Sequence, residues 1–452
     1  MDYANYWFSS GGAATEVIGD SLRFRGTETL TRQFASGDND NWSWSQWVKF
    51  SYFPTNNDLS QYLFCGGQTN QAGTQLGCKL TNNTLSFVTQ ATAYATTQNQ
   101  LRDPSGWYHI LVTFDLQNAN ADERVIIYIN GKQAPTNYIT ALAPTYPYVI
   151  NTDVVHVIGG WTPSSYRLKG YMADIYFVDG QTLDPTSFGE YNNDGVWVPI
   201  NYTGTYGGNG FHLTFDPTQD ADPTVGIGID SSGNGNNWTA NGFEVSDTTS
   251  YDFDSMEDSP SANYATGNPL PQLATNGSGT SLIDANLGWT ALGTGGSFTY
   301  VAWTQAINVG TNGKYYFEAY QRNTSYGQGF PYYFIVESDT SFNLREVYNE
   351  GTPGCPYMRV FSTNGSVYFG VFPDTSGGTG DKWRVSQTSY SASTDNDGGL
   401  LLDANTGKGW WVFKGTIYGV SDATPIGGDA AVVSSADVIA GLNPAFTLPT
   451  TA

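Results

Sequence analysis

Positive charge is what this chain has least of: 18 Lys and Arg stand against 41 Asp and Glu in 452 residues, a net charge of −23. No basic cluster occurs along it. Phosphate neutralisation needs cations, so a nucleic-acid partner is excluded, and an anionic membrane surface would repel the chain. The plain reading of the acidity is solubility through self-repulsion. Long apolar runs are missing as well. No stretch approaches the ~20 residues of a membrane-spanning helix, and the N-terminal MDYANYWFSSGG has neither the basic start nor the apolar run of a secretory signal. Runs of Ala, Leu, Glu and Lys that would build long helices are absent too. Cysteine is confined to Cys65, Cys78 and Cys355. Cys65 and Cys78 fall in adjacent expected strands, so a disulfide is geometrically open and would leave Cys355 over. Three buried thiols acting as small hydrophobes is the simpler reading.

What is abundant points one way. There are 53 Gly, 30 Tyr, 24 Phe and 13 Trp, with charged residues at only 13%. Aromatic and β-branched residues broken by Gly, Asn and Asp make many short strands and turns. The expected fold class is all-β: two antiparallel, jelly-roll-like β-sandwich domains joined by a turn-rich connector. In Trp42–Ser51, period-2 alternation sets Trp42, Trp44 and Gln46 on one face and Ser43, Ser45 and Trp47 on the other. Trp107–Asp115 and Arg124–Lys132 follow, with Asn130-Gly131 marking a hairpin turn. Apolar residues occupy both parities in several of these strands, as in a sheet covered on both faces. The expected domains are residues 1–199, a connector over 200–264 ending in the turn-rich DSPSANYATGNPL, and residues 265–452.

The run GWYHILVTFD, then VIIYINGK, HVIGGW and GYMADIYFVDGQTLDP, resembles the laminin-G-like branch of the concanavalin-A-like sandwiches over about residues 15–190. Further on, GKYYFEAY, LLLDANTGKGWWVF and the late Asn443-Pro-Ala-Phe446 resemble a SPRY domain over about residues 285–448. Lys414-Gly415 stands where that family has Asn-Gly. The arrangement as a whole is similar to virion structural proteins of tailed bacteriophages. That resemblance implies location in the virion, other virion proteins as partners, and a homo-oligomer. It also implies a choice between a fibre module that recognises host-surface polysaccharide and an architectural capsid or head-fibre protein.

Little in the sequence points to catalysis. Glucanases of the concanavalin-A-like fold resemble one another in a Glu-x-Asp-x-x-Glu strand that aligns two carboxylates, and that spacing is absent here. Asp122 and Glu123 are neighbours that would point apart on a strand, and Asp174 stands alone. His109, His156 and His212 sit singly in expected strands, which does not suit a His-built zinc site. A non-enzymatic protein is the expectation, with glycoside hydrolase the remaining enzymatic alternative. Binding has better candidates, because sugars stack on aromatic rings and offer hydroxyls to nearby polar groups. Two loops carry such residues: Trp161 and Tyr166 in one, and Tyr326, Phe330 and Tyr332 in the other. Calcium is the one metal left open. The stretch IDSSGNGNNW places Asp230, Ser232 and Asn234 at alternate positions, but the twelfth position is Asn241 rather than a Glu. A Gly-Asn turn closed by Asp230, with Trp238 anchoring the following strand, is the preferred reading.

Overall fold

The computed structural model describes residues 18–54, 60–67, 76–89, 92–144, 148–161, 166–245, 254–264, 266–267, 280–286 and 288–291. It then describes residues 314–321, 333–334, 356–361, 366–371, 381–385, 396–403, 405–413, 416–420, 431–440, 442 and 445–447. The chain divides into two compact units, one spanning Thr15–Gln305 and the other taking the chain from Ala306 onward. Each is all-β with antiparallel pairing. The helices described are short, as in Pro223–Gly226 and Ser435–Ile439.

Two eight-stranded sheets build the first unit. The first sheet runs in the order Lys132–Gln133, Val125–Ile129, Tyr108–Asp115, Asn41–Phe50, Lys169–Asp179, Ser21–Arg25 and Ser255–Met256, with Phe211–Leu213 also paired to Lys169–Asp179. The second runs Thr136–Tyr138, Ala93–Thr97, Thr84–Thr89, Leu76–Thr81, Gln61–Gly66, Val155–Ile158, Thr29–Gln33 and Thr239–Asn241. Between them lies one aromatic core. Trp42 and Trp44 enter it from alternate positions of one strand, with Val48 and Phe50 continuing the same face. Trp44 stacks on Phe64 of the facing sheet at 4.1 Å, and Trp42 on Phe114 at 5.0 Å. Offset ring pairs of this kind add to the stabilisation that area burial already gives.

The hairpin expected at Asn130-Gly131 is present, with φ of 49° and 77° at the two turn residues. Only Gly suits the second position here. A Cβ on Gly131 would lie 2.4 Å from the Trp197 ring.

Residues 200–264, expected as a connector, belong to the first sandwich. Phe211–Leu213 and Ser255–Met256 add to the first sheet, and Thr239–Asn241 adds to the second. Trp238 is core, 5.0 Å from Phe211 and 5.9 Å from Phe34 between ring centroids. The turn-forming composition that reads as a linker is instead a series of short edge strands and tight corners.

In the second unit, one sheet has Lys314–Gln321, Asn396–Asp403, Lys408–Phe413, Thr416–Gly419 and Ala431–Val432 in that order, with Phe446–Thr447 on Lys408–Phe413. A four-stranded sheet holds Tyr333–Phe334, Pro356–Phe361, Ser366–Val371 and Asp381–Val385. Among the described residues of this unit, Leu401, Trp410, Val412, Ile417, Val433, Val438 and Ala445 form a buried cluster on the first of these sheets.

Candidate functional site

The strand Gln61–Gly66 does not alternate cleanly. A register irregularity between Tyr62 and Phe64 sends both Leu63 and Phe64 into the core and leaves Tyr62 and Cys65 on the outer face. There Tyr62 becomes the floor of an aromatic cluster. Trp161 lies 5.2 Å from it and Tyr166 lies 6.0 Å from it, and these two rings stack on each other at 5.4 Å and 20°. The two rim residues read from sequence are therefore brought together, on a buried tyrosine that sequence reasoning did not single out. Trp161 and Tyr166 remain half-buried, and the Trp161 indole N–H has no acceptor among the described residues. Tyr166 takes φ of 57°, a left-handed conformation uncommon outside glycine.

Polar groups line the same face. Sheet register carries one row from Tyr62 to Lys79, Ser86, Thr96 and Asn137. The Lys79 ammonium stands 5.8 Å over the Tyr62 ring, and burial lowers its pKa. Cys65 is a free, buried thiol beneath the cluster, pushed up to about 12 by burial and donating to the Gly160 carbonyl at 3.4 Å. Its register partner is Gly77, while Cys78 sits opposite Phe64. Cys355, and the second aromatic loop with Tyr326, Phe330 and Tyr332, lie outside the described residues.

Asp230 closes its own loop. One carboxylate oxygen accepts from the amides of His212 and Ser232 at 2.9 and 2.8 Å, and the other from Ser232 Oγ and the Asn236 amide at 2.9 and 2.8 Å. Four N–H and O–H donors already surround it, and a calcium ion needs oxygen acceptors instead. Among the described residues no group of three His, Cys, Asp or Glu side chains could hold a metal ion. The residues present therefore do not fit calcium at this loop. Asn234 and Asn236 serve the same corner, donating to the carbonyls of Gly207, Gly208 and Gly210.

Two of the three histidines are core groups. His109 bonds Ser45 Oγ at 2.8 Å and accepts from Trp197 Nε1 at 3.1 Å. His156 accepts from the Asn151 amide at 3.1 Å. Burial pushes each down to about 3, so both are neutral across the physiological range. His212 differs from the single-histidine expectation. It meets Asp174 at 2.5 Å and stacks on Tyr176 at 4.0 Å. The contact exists because Asp174 occupies a bulge, with φ of 51°, between Ala173 and Tyr176. Asp122 and Glu123 sit in an exposed 3-10 turn capped by Asn120, not in a strand.

A family model described as the concanavalin A-like lectin/glucanases superfamily matches residues 25–187. The N-terminal part of the chain is thus a laminin-G-like, concanavalin-A-like domain. No curated protein matches the chain. Among solved structures, a Bacteroides ovatus protein provisionally assigned to carbohydrate binding is similar at 13% identity and a TM-score of 0.33, over 50% of this chain and 58% of its own. The mouse laminin α1 chain domains LG4-5 are similar at 10% identity and a TM-score of 0.29, over 97% and 84%. A heptameric pentraxin from Limulus polyphemus follows at 17% identity and 0.28, over 38% and 80%.

Proposed function

We propose that this chain is a non-enzymatic carbohydrate-binding protein whose glycan site is the Tyr62–Trp161–Tyr166 cluster on the outer face of the second sheet. The observation that carries the reading is the pairing of half-buried rings with a polar row on the same sheet face. A pyranose presents an apolar face to such rings, and its hydroxyls have the half-buried Lys79 and Thr96 of the row as partners. The superfamily description, which names lectins, is consistent with this use of the fold.

In the same reading the chain is a virion structural protein of a tailed phage, a homo-oligomeric fibre or host-recognition module with a SPRY-like second unit. The support for that part is the sequence resemblance of both halves and their order along the chain. A glycan array probed with the purified chain and with Trp161→Ala tests the site. Glycan-specific signal that the substitution weakens about tenfold is expected. Absence of signal from the unaltered chain, together with tight binding to purified capsids or tails alone, would overturn it in favour of an architectural role.

A further inference from the structure

Residues 254–264 lie against the first sheet as a strap, and there a lysine of the sheet meets a carboxyl and a carboxamide of the strap. Lys49, at 1% exposure, projects from the strand Asn41–Phe50. Its Nζ donates to Asp258 Oδ2 at 2.8 Å, to Asn263 Oδ1 at 2.9 Å, and to the Tyr264 carbonyl. Asp258 is held in turn: its Oδ1 accepts from Trp107 Nε1 and the Tyr264 amide, both at 3.1 Å. Asn263 is steadied from its other end, where Nδ2 donates to the Ser105 carbonyl at 2.8 Å. A C=O bond is about 1.23 Å, so the Asn263 carboxamide carbon lies at most about 4.1 Å from the amine.

An amine, a carboxamide and a carboxyl held this close, the amine and the carboxyl buried and the carboxamide exposed, are the components of an amide exchange. The amine attacks only as the free base, and burial lowers the pKa of Lys49 against the opposing pull of Asp258. Fixed proximity supplies the rest, since oriented groups react as though at very high concentration. We propose that Lys49 and Asn263 become joined by an intramolecular isopeptide bond, with Asp258 carrying the protons. The Nζ–Cγ bond forms and the Cγ–Nδ2 bond breaks. Two protons pass from Nζ to Nδ2 through the Asp258 carboxyl, and the former amide nitrogen leaves as ammonium. No electrons change hands and no co-reactant is needed. The link would join positions 214 residues apart and fasten the strap to the sheet, a constraint that acts chiefly on the unfolded chain.

Mass spectrometry of the purified full chain tests this, both intact and after proteolysis. Expected are an intact mass lower by one ammonia, a peptide in which the Lys49 and Asn263 segments are covalently joined, and loss of tryptic cleavage after Lys49. Lys49→Met and Asp258→Asn should each restore the full mass. Should those variants fail to fold, the unaltered chain still decides. Linear Lys49 and Asn263 peptides in full yield overturn the proposal. So does ammonia loss at Asn263 with Lys49 free, which marks a succinimide.

Discussion

The two outer faces of the first sandwich are built from similar aromatic residues but are finished differently. On the first sheet, the chain lays its own strap over the face and ties it down with charge. Arg23 and Arg25 both pair with Asp254 at 3.0 Å, and Lys49 pairs with Asp258 at 2.8 Å. Below them, Ser51 and Tyr171 donate to the Ala285 carbonyl at 2.8 and 2.9 Å. On the second sheet, Tyr62, Trp161 and Tyr166 pack on one another and on an apolar layer of Cys65, Val88, Ala93 and Val157. A chain with so few cations commits several of them to burial on one face and leaves rings half-open on the other. Ion pairs removed from water hold firmly while intact and are costly when one partner is lost. Half-open rings contribute less to stability and are available to a ligand.

Removal of a strap anchor should show the contrast most strongly. Asp254→Ala leaves Arg23 buried without its partner and is expected to cost about 3–5 kcal/mol, read by denaturant unfolding of the first unit. An unchanged midpoint would mean that the strap is not integral to the fold. Trp238→Ala, a core truncation in the stretch expected as a connector, should cost a similar ~3–5 kcal/mol.

The next effect is a response to pH. His109 and His156 are held down to about 3 in the folded chain against an ordinary 6.5, so the unfolded chain binds more protons between those values. Their stabilising share is complete above about pH 6.5 and is lost as pH falls towards 3, at up to about 1.4 kcal/mol per pH unit for each histidine. Thermal unfolding followed from pH 7 to 4 should fall accordingly, and His156→Gln should flatten the slope. Equal slopes in both proteins would refute the assignment.

Trp161→Ala marks the other face. It is expected to lower stability by less than the ~3–5 kcal/mol of a core tryptophan, yet to weaken glycan binding about tenfold, the ~1.4 kcal/mol that a stacking ring supplies. Equal losses of stability and binding would erase the distinction between the faces. The smallest expected effect is none: calcium or a chelator should leave the melting temperature of the chain unchanged, and a rise with calcium would reopen the loop at Asp230 as a metal site.

Period-2 alternation made Asn41–Phe50 readable, because successive side chains of a strand must point to opposite faces. Asn130-Gly131 was legible because few dipeptides adopt two positive φ angles in succession. Trp161 and Tyr166 were legible as loop aromatics beside turn residues. Tyr62 was not, because a bulge two residues long decides which face it takes. His212 and Asp174 escaped for the same reason, their meeting depending on a bulge in one strand and the pairing of another. The stretch 200–264 misled because edge strands of three residues carry the same composition as a linker.

By itself the sequence determined the all-β class, the alternating core strands, the tight hairpin and a turn closed by Asp230, all of which follow from sterics and spacing within a few residues. Tertiary structure alone decided that Lys49 would meet Asp258 and Asn263, more than 200 residues away. It also decided which sheet face would be strapped and which left with open rings. Those outcomes depend on register and on the path of the chain between sheets, and burial then gives a distant pair its strength by removing the water that would otherwise screen it.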